Sequence, residues 1–387
     1  MPVLPVYDPL DPATLEDPYP LYKQLREETP VFWHKRMNSW VLTRYNDCRE
    51  VLRNHEAFAR DRRRVGEDVP EFRQNLQSLD PPQLGPLRSL LINAFRAQDL
   101  DAIADRTRER VMKIFESVAD ESEFDWIHRV AAPAALTVTS ELFGVEEPDL
   151  HEYADIADAI TRRMDAGLDP AVIAPGDFAR KQLNALADEW LEHDEGRPGL
   201  LTTVKETLAA SRVPDHYIRN TTGVMFNASY GTVFAAAGNF VHTLLNHPGT
   251  LDEFRNETLL SSGVEELIRF DGPAQATSRI AAQPAQLGGT VIEPGQAIIT
   301  LLAAANRDPD EFPNSDELVL DRTPNRHLGF GWGPHACLGA LFGNMAIREI
   351  IRCLLQAPGT LRQTGEPVRR TTATVRSMDF LPVTFGA

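Results

Sequence analysis

Cysteine is scarce: Cys48, Cys337 and Cys353 are the only three in 387 residues. Their spacing fits neither a disulfide framework nor a zinc site, and a reducing, cytoplasmic setting is the simplest reading. Basic charge is also short. Lys and Arg number 39 against 56 Asp and Glu, a formal net charge of −17. That argues against nucleic acid as the main partner, because phosphate binding needs a basic footprint. The N-terminus, MPVLPVYDPLDPATLEDPYPLY, lacks the basic start and apolar core of a secretion signal. No internal repeat or low-complexity segment is present.

One stretch has no charge at all. From Asn220 to Leu251 there is no Asp, Glu, Lys or Arg. Apolar runs of about 18 or more residues are candidates for a membrane span. Here Asn227, Ser229, Tyr230, Thr232 and Asn239 interrupt the run, and Lys or Arg does not flank both ends. A long helix through a large core fits better, with Asp215 as its N-cap and HPGT after Asn246 as its stop. No membrane partner is expected.

The rest reads as mainly α with small β-sheets. DPYPLYKQLREETP predicts a short helix and SWVLTRY a strand. NDCREVLRNHEAFA predicts a helix with Val51, Leu52 and Phe58 on its apolar face. Arg60 to Leu79 is a charged loop. DPPQLGPLRSLLINAF opens a helix with Pro86 at its first position and Leu87, Leu90, Leu91, Ala94 and Phe95 in helical period. Asp99 to Arg212 is mostly amphipathic helix, and GVEELIRF is another. Gln286 to Ala303 reads as a hairpin punctuated by Gly-Gly and Pro-Gly. Strand and helix do not alternate as in a doubly wound sheet. A single domain over 1–387 is expected.

The stretch HLGFGWGPHACLGALFG, His327 to Gly343, places five glycines, one proline and one cysteine in seventeen residues. Gly331, Gly333 and Ala336 satisfy a dinucleotide fingerprint, but that motif needs an apolar strand before it, and DRTPNRH is not one. Leu338, Leu341, Phe342, Met345 and Ala346 form one helical face. Cys337 therefore sits at a helix N-terminus, where the macrodipole favours a thiolate, and thiolates ligate soft or redox metals. Glycine lets backbone approach a flat group closely. Free cysteines are mostly small buried hydrophobes, and Cys48 and Cys353 are read that way.

FGWGPHACLG, Phe330 to Gly339, resembles the haem-binding signature F-G-x-G-x-H-x-C-x-G of the cytochrome P-450 superfamily at every defining position. EELIR resembles its E-x-x-R as Glu266 and Arg269. AAANRDP, DRTPNRHLGFG, DPYPLYKQLR and SRIA resemble the bacterial soluble members. The resemblance implies the cytochrome P-450 fold, with haem b between the long central helix and the cysteine-loop helix and its iron bound axially by Cys337. It implies haem contacts from Phe330, Gly331 and Gly339, and propionate partners in Arg88, Arg279 and His335. Glu266, Arg269 and Arg322 would brace the cysteine loop.

Two departures stand out. Bacterial members usually carry DPPEHTRLRR before the haem, where this chain has DPPQLGPLRS. Leu84 replaces the histidine and Pro86 the following arginine, so one propionate loses a partner and the helix is expected to start at Pro86. The central-helix pattern A-G-x-D/E-T becomes Ala228, Ser229, Tyr230, Gly231, Thr232. The threonine of the proton relay is present and its acid is absent. One position along a helix turns a side chain by about 100°, so Tyr230 does not substitute.

The implied activity is that of a haem-thiolate monooxygenase, acting on a small molecule in bacterial secondary metabolism with O2 and electrons from ferredoxin and ferredoxin reductase. Two alternatives stand beside it. One is atypical chemistry at the Gly231 gap: oxidative coupling, nitration or peroxide-driven oxidation. The other is a haem-binding sensor or electron carrier without oxygenase activity. Family position places pocket walls at Arg60 to Leu79, Met164 to Asn184, Asn227, Ala228 and Gly231, and Ala274, Gln275, Ala276 and Thr277. RDRRRV reads as a solvated face, an anionic substrate being the lesser reading. Arg348 and Arg352 would offer positive charge to the redox partner. A monomer is expected.

Overall fold

The structure is a computed structural model that describes residues 6–193, 197–208, 211, 213–357 and 359–386. Residues 1–5, and Arg212 at the end of the expected helical stretch, lie outside the described residues.

The charge-poor segment organises the molecule. Asp215–Leu245 is one helix of 31 residues with buried side chains on all its faces, and a helix that is apolar all round must be enclosed by others. Helices Ala132–Phe143 and Ile173–Glu192 pack against it. Phe226 meets Phe143 and Tyr153 edge-on, and Trp126 Nε1 donates to the Ala237 carbonyl at 3.1 Å. Gly238 permits this approach, since a Cβ there would lie 2.8 Å from Ile127 Cδ1. Pro214 occupies the N-cap and Asp215 is the first helical residue, where its carboxylate still suits the positive end of the dipole. Among the described residues no helix is long and apolar enough to cross a membrane.

Sheets flank the helical body. Five strands run in the spatial order Val31–His34, Ser39–Leu42, Ala297–Leu301, Ala276–Ala281, Phe58–Ala59. Ser39–Leu42 and Ala297–Leu301 pair in parallel with Ser39 opposite Ala297, and the other pairs are antiparallel. Phe124–Asp125, Pro382–Gly386 and Thr360–Gln363 form a second sheet.

Several expectations are corrected. The helix Tyr45–Arg53 stops at its C-cap Asn54, so Phe58 lies on a strand; the buried face is Tyr45, Cys48, Val51 and Leu52. The expected hairpin is shorter. Ala285–Leu287 pairs with Thr290–Ile292 across Gly288 and Gly289, both with positive φ, while Ala297–Leu301 leaves through Gly295 to the five-stranded sheet. The helix Leu84–Arg96 begins before Pro86; a first-turn proline is tolerated because N–H groups there lack intrahelical partners. In the helix Ala340–Gln356, Phe342, Met345 and Ala346 are buried, but Leu341 is 74% exposed.

Candidate active site around Cys337

The cysteine loop is fixed from both ends. Asn306 Oδ1 accepts the Leu328 N–H at 2.7 Å, and the Gly331 N–H returns to the Leu328 carbonyl at 2.8 Å. Gly331 and Gly333 have φ of +68° and +72°, a left-handed conformation that favours glycine. Gly333 also passes so near the helix Tyr45–Arg53 that a Cβ would sit 2.8 Å from Arg53 Cα and from the Leu52 carbonyl. The Cys337 N–H donates to the Phe330 carbonyl at 2.8 Å, and the helix starts three residues later with Gly339 as N-cap.

The thiol opens into a cavity of about 1070 Å³. Burial pushes the Cys337 pKa up, while the Gly339 N–H on the sulfur and the nearby Arg88 charge pull it back. The N-terminus of the helix that begins at Ala340 acts in the same direction as those two groups, and a bound metal cation would favour the thiolate further.

The same cavity is lined by Thr232, Val233, Ala236 and Phe240 of the central helix and by Arg279. Arg279 is 4% exposed. Its Nη1 donates to the Ser278 carbonyl at 2.8 Å and reaches Thr277 Oγ1 at 3.5 Å, and no carboxylate bonds to it among the described residues. Burial, with Arg60 nearby, lowers its pKa to about 9. His335 Nε2 instead lies 3.1 Å from Asp80 Oδ1, and burial brings its pKa down to about 4. Arg88 Nη2 donates to the Ala336 carbonyl at 2.8 Å.

Behind the loop, Glu266 accepts bidentate bonds of 2.8 Å from Arg269 and two of 3.1 Å from Arg322. Arg269 also donates to the carbonyls of Asn306, Ser315 and Glu317. Glu266 and Arg269 are both essentially unexposed. The pair thus ties a helix to the 306–322 segment that leads into the cysteine loop. Residues 149–357, more than half of the chain, match the family model for cytochrome P450. The chain belongs to the cytochrome P450 family.

Relatives agree along the whole length. Cytochrome P450 monooxygenase PikC from Streptomyces venezuelae is 29% identical over 385 residues, 95% of this chain and 91% of its own. The crystal structure of CalO2 is similar with a TM-score of 0.88 and 26% identity, covering 99% of both chains. P450BioI, solved in complex with an acyl carrier protein ligated to hexadec-9Z-enoic acid, is similar with a TM-score of 0.86 and 26% identity, covering 97% of this chain and 100% of its own. This P450 is a haem-dependent oxidoreductase, and its cofactor is haem b.

The site fits that cofactor. A buried guanidinium without a bonded carboxylate is costly, and Arg279 offers such a charge to an acidic group on the ligand. A Cβ at Gly339 would meet nothing within 4 Å, so the backbone leaves space beside Cys337. Leu84, in place of the usual histidine, is buried in the core and offers a propionate nothing.

On the central helix, Thr232 Oγ1 donates to the Ala228 carbonyl at 2.7 Å. A Cβ on Gly231 would meet nothing within 4 Å. Tyr230 packs edge-on against Tyr153 and stacks on Phe234, away from the relay position. Four pocket expectations are corrected. Asn227 turns to the Tyr153 hydroxyl at 3.4 Å, and Gln275 binds the Tyr22 hydroxyl and the Gly272 carbonyl. Neither lines the cavity, whereas Ala274 and Ala276 do; nor do Ala228 and Gly231. Arg352 is neutralised by Glu257 and Glu349, so it presents no free charge to a redox partner. Three arginines of RDRRRV are likewise paired, through Arg62–Glu67, Arg63–Asp61 and Arg64–Asp80.

Asp165 lies in the expected Met164 to Asn184 wall, whereas sequence reasoning missed Phe240 and the Ala373–Val375 turn. Phe240 was readable, being eight residues beyond Thr232 on the helical period. The Ala373–Val375 turn carries no such signal. Asp165 is buried and accepts from the Ala373 and Thr374 N–H groups at 2.7 and 2.9 Å, joining two distant walls of the cavity.

Proposed function

We propose that the protein is a haem-thiolate monooxygenase, a single catalytic domain that oxidises a small organic molecule of bacterial secondary metabolism with electrons from a ferredoxin and its reductase. The reading is carried by one observation: the Cys337 thiol, the Arg279 cation and the Thr232 helix meet in one cavity. When bound there, a thiolate-ligated haem supplies the activation of dioxygen.

Each residue then has a physical task. Cys337 provides the thiolate ligand, and the Gly339 N–H bond to its sulfur tunes the electron density there. Arg279 holds an anionic arm of the cofactor. Arg88 fixes the Ala336 carbonyl next to the ligand, and His335 is held by Asp80. Glu266, Arg269 and Arg322 brace the loop. Val233, Ala236 and Phe240 present apolar surface that excludes bulk water. Thr232 gives its hydroxyl hydrogen to Ala228, so its lone pairs are what it offers to a proton donor. The open volume at Gly231 leaves room for a water or a substrate hydroxyl to be that donor.

A screen for substrate-induced shifts of the haem absorption band, followed by turnover with a surrogate ferredoxin system, tests the proposal. Electron consumption coupled to an oxygenated product is expected. A protein that consumes no electrons with any ligand is a sensor, and one that passes electrons on without forming product is a carrier.

Gly231 favours one second reading, an atypical oxidation such as oxidative coupling, nitration or peroxide-driven turnover. The peroxide-driven form predicts product with peroxide alone, at a rate matching or exceeding that with ferredoxin, and nitration or coupling predicts a product that carries a nitro group or a new ring-to-ring bond and no added hydroxyl.

A further inference from the structure

We infer that Arg73, Arg163 and Arg180 form a binding site for an oxyanion, a carboxylate or a phosphate, at the rim of the substrate cavity. Arg73 ends the turn Glu71–Arg73, Arg163 ends the helix Leu150–Arg163, and Arg180 lies on the helix Ile173–Glu192. One carboxylate serves two of them. Arg73 Nε donates to Asp177 Oδ1 at 3.1 Å and its Nη2 holds both carboxylate oxygens. Arg163 Nε donates to the same Oδ1 at 3.2 Å. Arg180 Nη1 is buried with no hydrogen-bond partner. Burial, with Arg73 close by, lowers the Arg180 pKa to about 10.

Two guanidinium groups share the Asp177 carboxylate, and Arg180 beside them has no ion pair among the described residues, which leaves a positive surplus in a protein whose net charge is −17, so composition does not account for it. Neighbouring charges do not cancel it. Arg62 pairs with Glu67 at 2.7 Å, and Arg219 takes up Asp188 and Glu71, both at 3.7 Å. If these arginines only pinned the Glu71–Arg73 turn to the helix, one of them on Asp177 would suffice. A like-charge cluster that is partly buried persists when an anion completes it, and the planar fork of arginine suits the two oxygens of a carboxylate or phosphate.

The cluster sits beside the cavity. Arg163 adjoins Met164 and feels the charge of Arg62, and both Met164 and Arg62 line the cavity. Met164 is 51% exposed and Phe178, next to Asp177, is 64% exposed. A ligand with an acidic head and an apolar body matches this arrangement, its head on the arginines and its body along Met164 and Leu168. The oxyanion is then the head of the substrate or a free phosphate that occupies the same arginines.

The substrate source rests on the cavity being the substrate site. Shifts of the haem absorption band with uncharged ligands test that reading separately, since an uncharged ligand in the cavity needs none of the three arginines. The test is calorimetric titration of the holoenzyme at constant ionic strength, with chloride as counter-ion, using inorganic phosphate, dodecanoate and methyl dodecanoate. The wild type should bind at least one oxyanion, and Arg180→Met should bind it at least about tenfold more weakly. Arg180→Lys, which keeps the charge, should stay within about threefold of wild type. Arg180→Met should also melt no lower than wild type without oxyanion, because it removes like-charge repulsion. Dodecanoate binding at least about tenfold tighter than its ester, and displaced by phosphate, assigns the site to a substrate head. Phosphate binding with no difference between acid and ester assigns it to a free anion. Absence of binding by both oxyanions, or binding that survives Arg180→Met unchanged, overturns the inference.

Discussion

Thr232 Oγ1 donates to the Ala228 carbonyl at 2.7 Å, closing a side-chain bond one helical turn back. The hydroxyl hydrogen is therefore engaged with the backbone, and the residue before it, Gly231, faces open space. Proton delivery without an acid at 231 follows from this pair. Gly231→Asp should change the coupling of electrons to product by less than about threefold, or should block substrate by filling the space. Product per electron consumed is the measurement, and a large gain in coupled turnover would mean that the natural enzyme is defective at this step. Gly231→Ala separates backbone from chemistry. With no atom to clash and no positive φ, it should stabilise the fold by about 0.5–1 kcal/mol, read as a higher melting temperature.

Arg279 is the buried cation with no bonded carboxylate in the cavity wall. Arg279→Leu should speed haem transfer to an excess of apoglobin by at least about tenfold, the loss of a charge-assisted bond worth about 1.5–3 kcal/mol. Arg279→Lys should recover part of that. Unchanged transfer rates in Arg279→Leu would remove Arg279 from the cofactor site.

Asp271 joins four parts of the chain. It accepts from the Tyr19 hydroxyl at 2.8 Å, Thr243 Oγ1 at 3.2 Å and Arg376 Nε at 3.0 Å. Burial alone would raise its pKa, but Arg376 and Arg369 outweigh it and hold the carboxyl below its ordinary value. A depressed folded pKa stabilises the protein fully above the unfolded value of about 4 and is lost as pH falls through the folded value. Asp271→Asn should cost about 3 kcal/mol near neutral pH, and its stability should fall less steeply than that of wild type below pH ~4. Parallel acid unfolding curves for the two proteins would contradict this.

How much was legible in the sequence follows from where the information lies. The cofactor loop is written in ten consecutive residues, so Cys337 and the positive-φ glycines Gly331 and Gly333 could be located before any packing was known. The central helix was legible from the absence of charge. Side-chain direction was not. Gln275 sits between Ala274 and Ala276 on an extended segment, and alternation sends it away from the cavity that both neighbours line. Asn227, five residues before Thr232, is rotated by about 140° from it and turns to Tyr153. Leu341 fits a helical period but lies at the edge of the buried face. The Arg73, Arg163 and Arg180 cluster comes from three elements far apart in the chain, and no local pattern announces it.

The central claim is that Cys337 is a thiolate ligand to haem iron. The direct measurement is the absorption spectrum of the reduced protein under carbon monoxide, for wild type and Cys337→His. The account predicts the long-wavelength thiolate-type band for wild type and an imidazole-type band for Cys337→His. An imidazole-type band in the freshly reduced wild type, unaltered by Cys337→His, would contradict it.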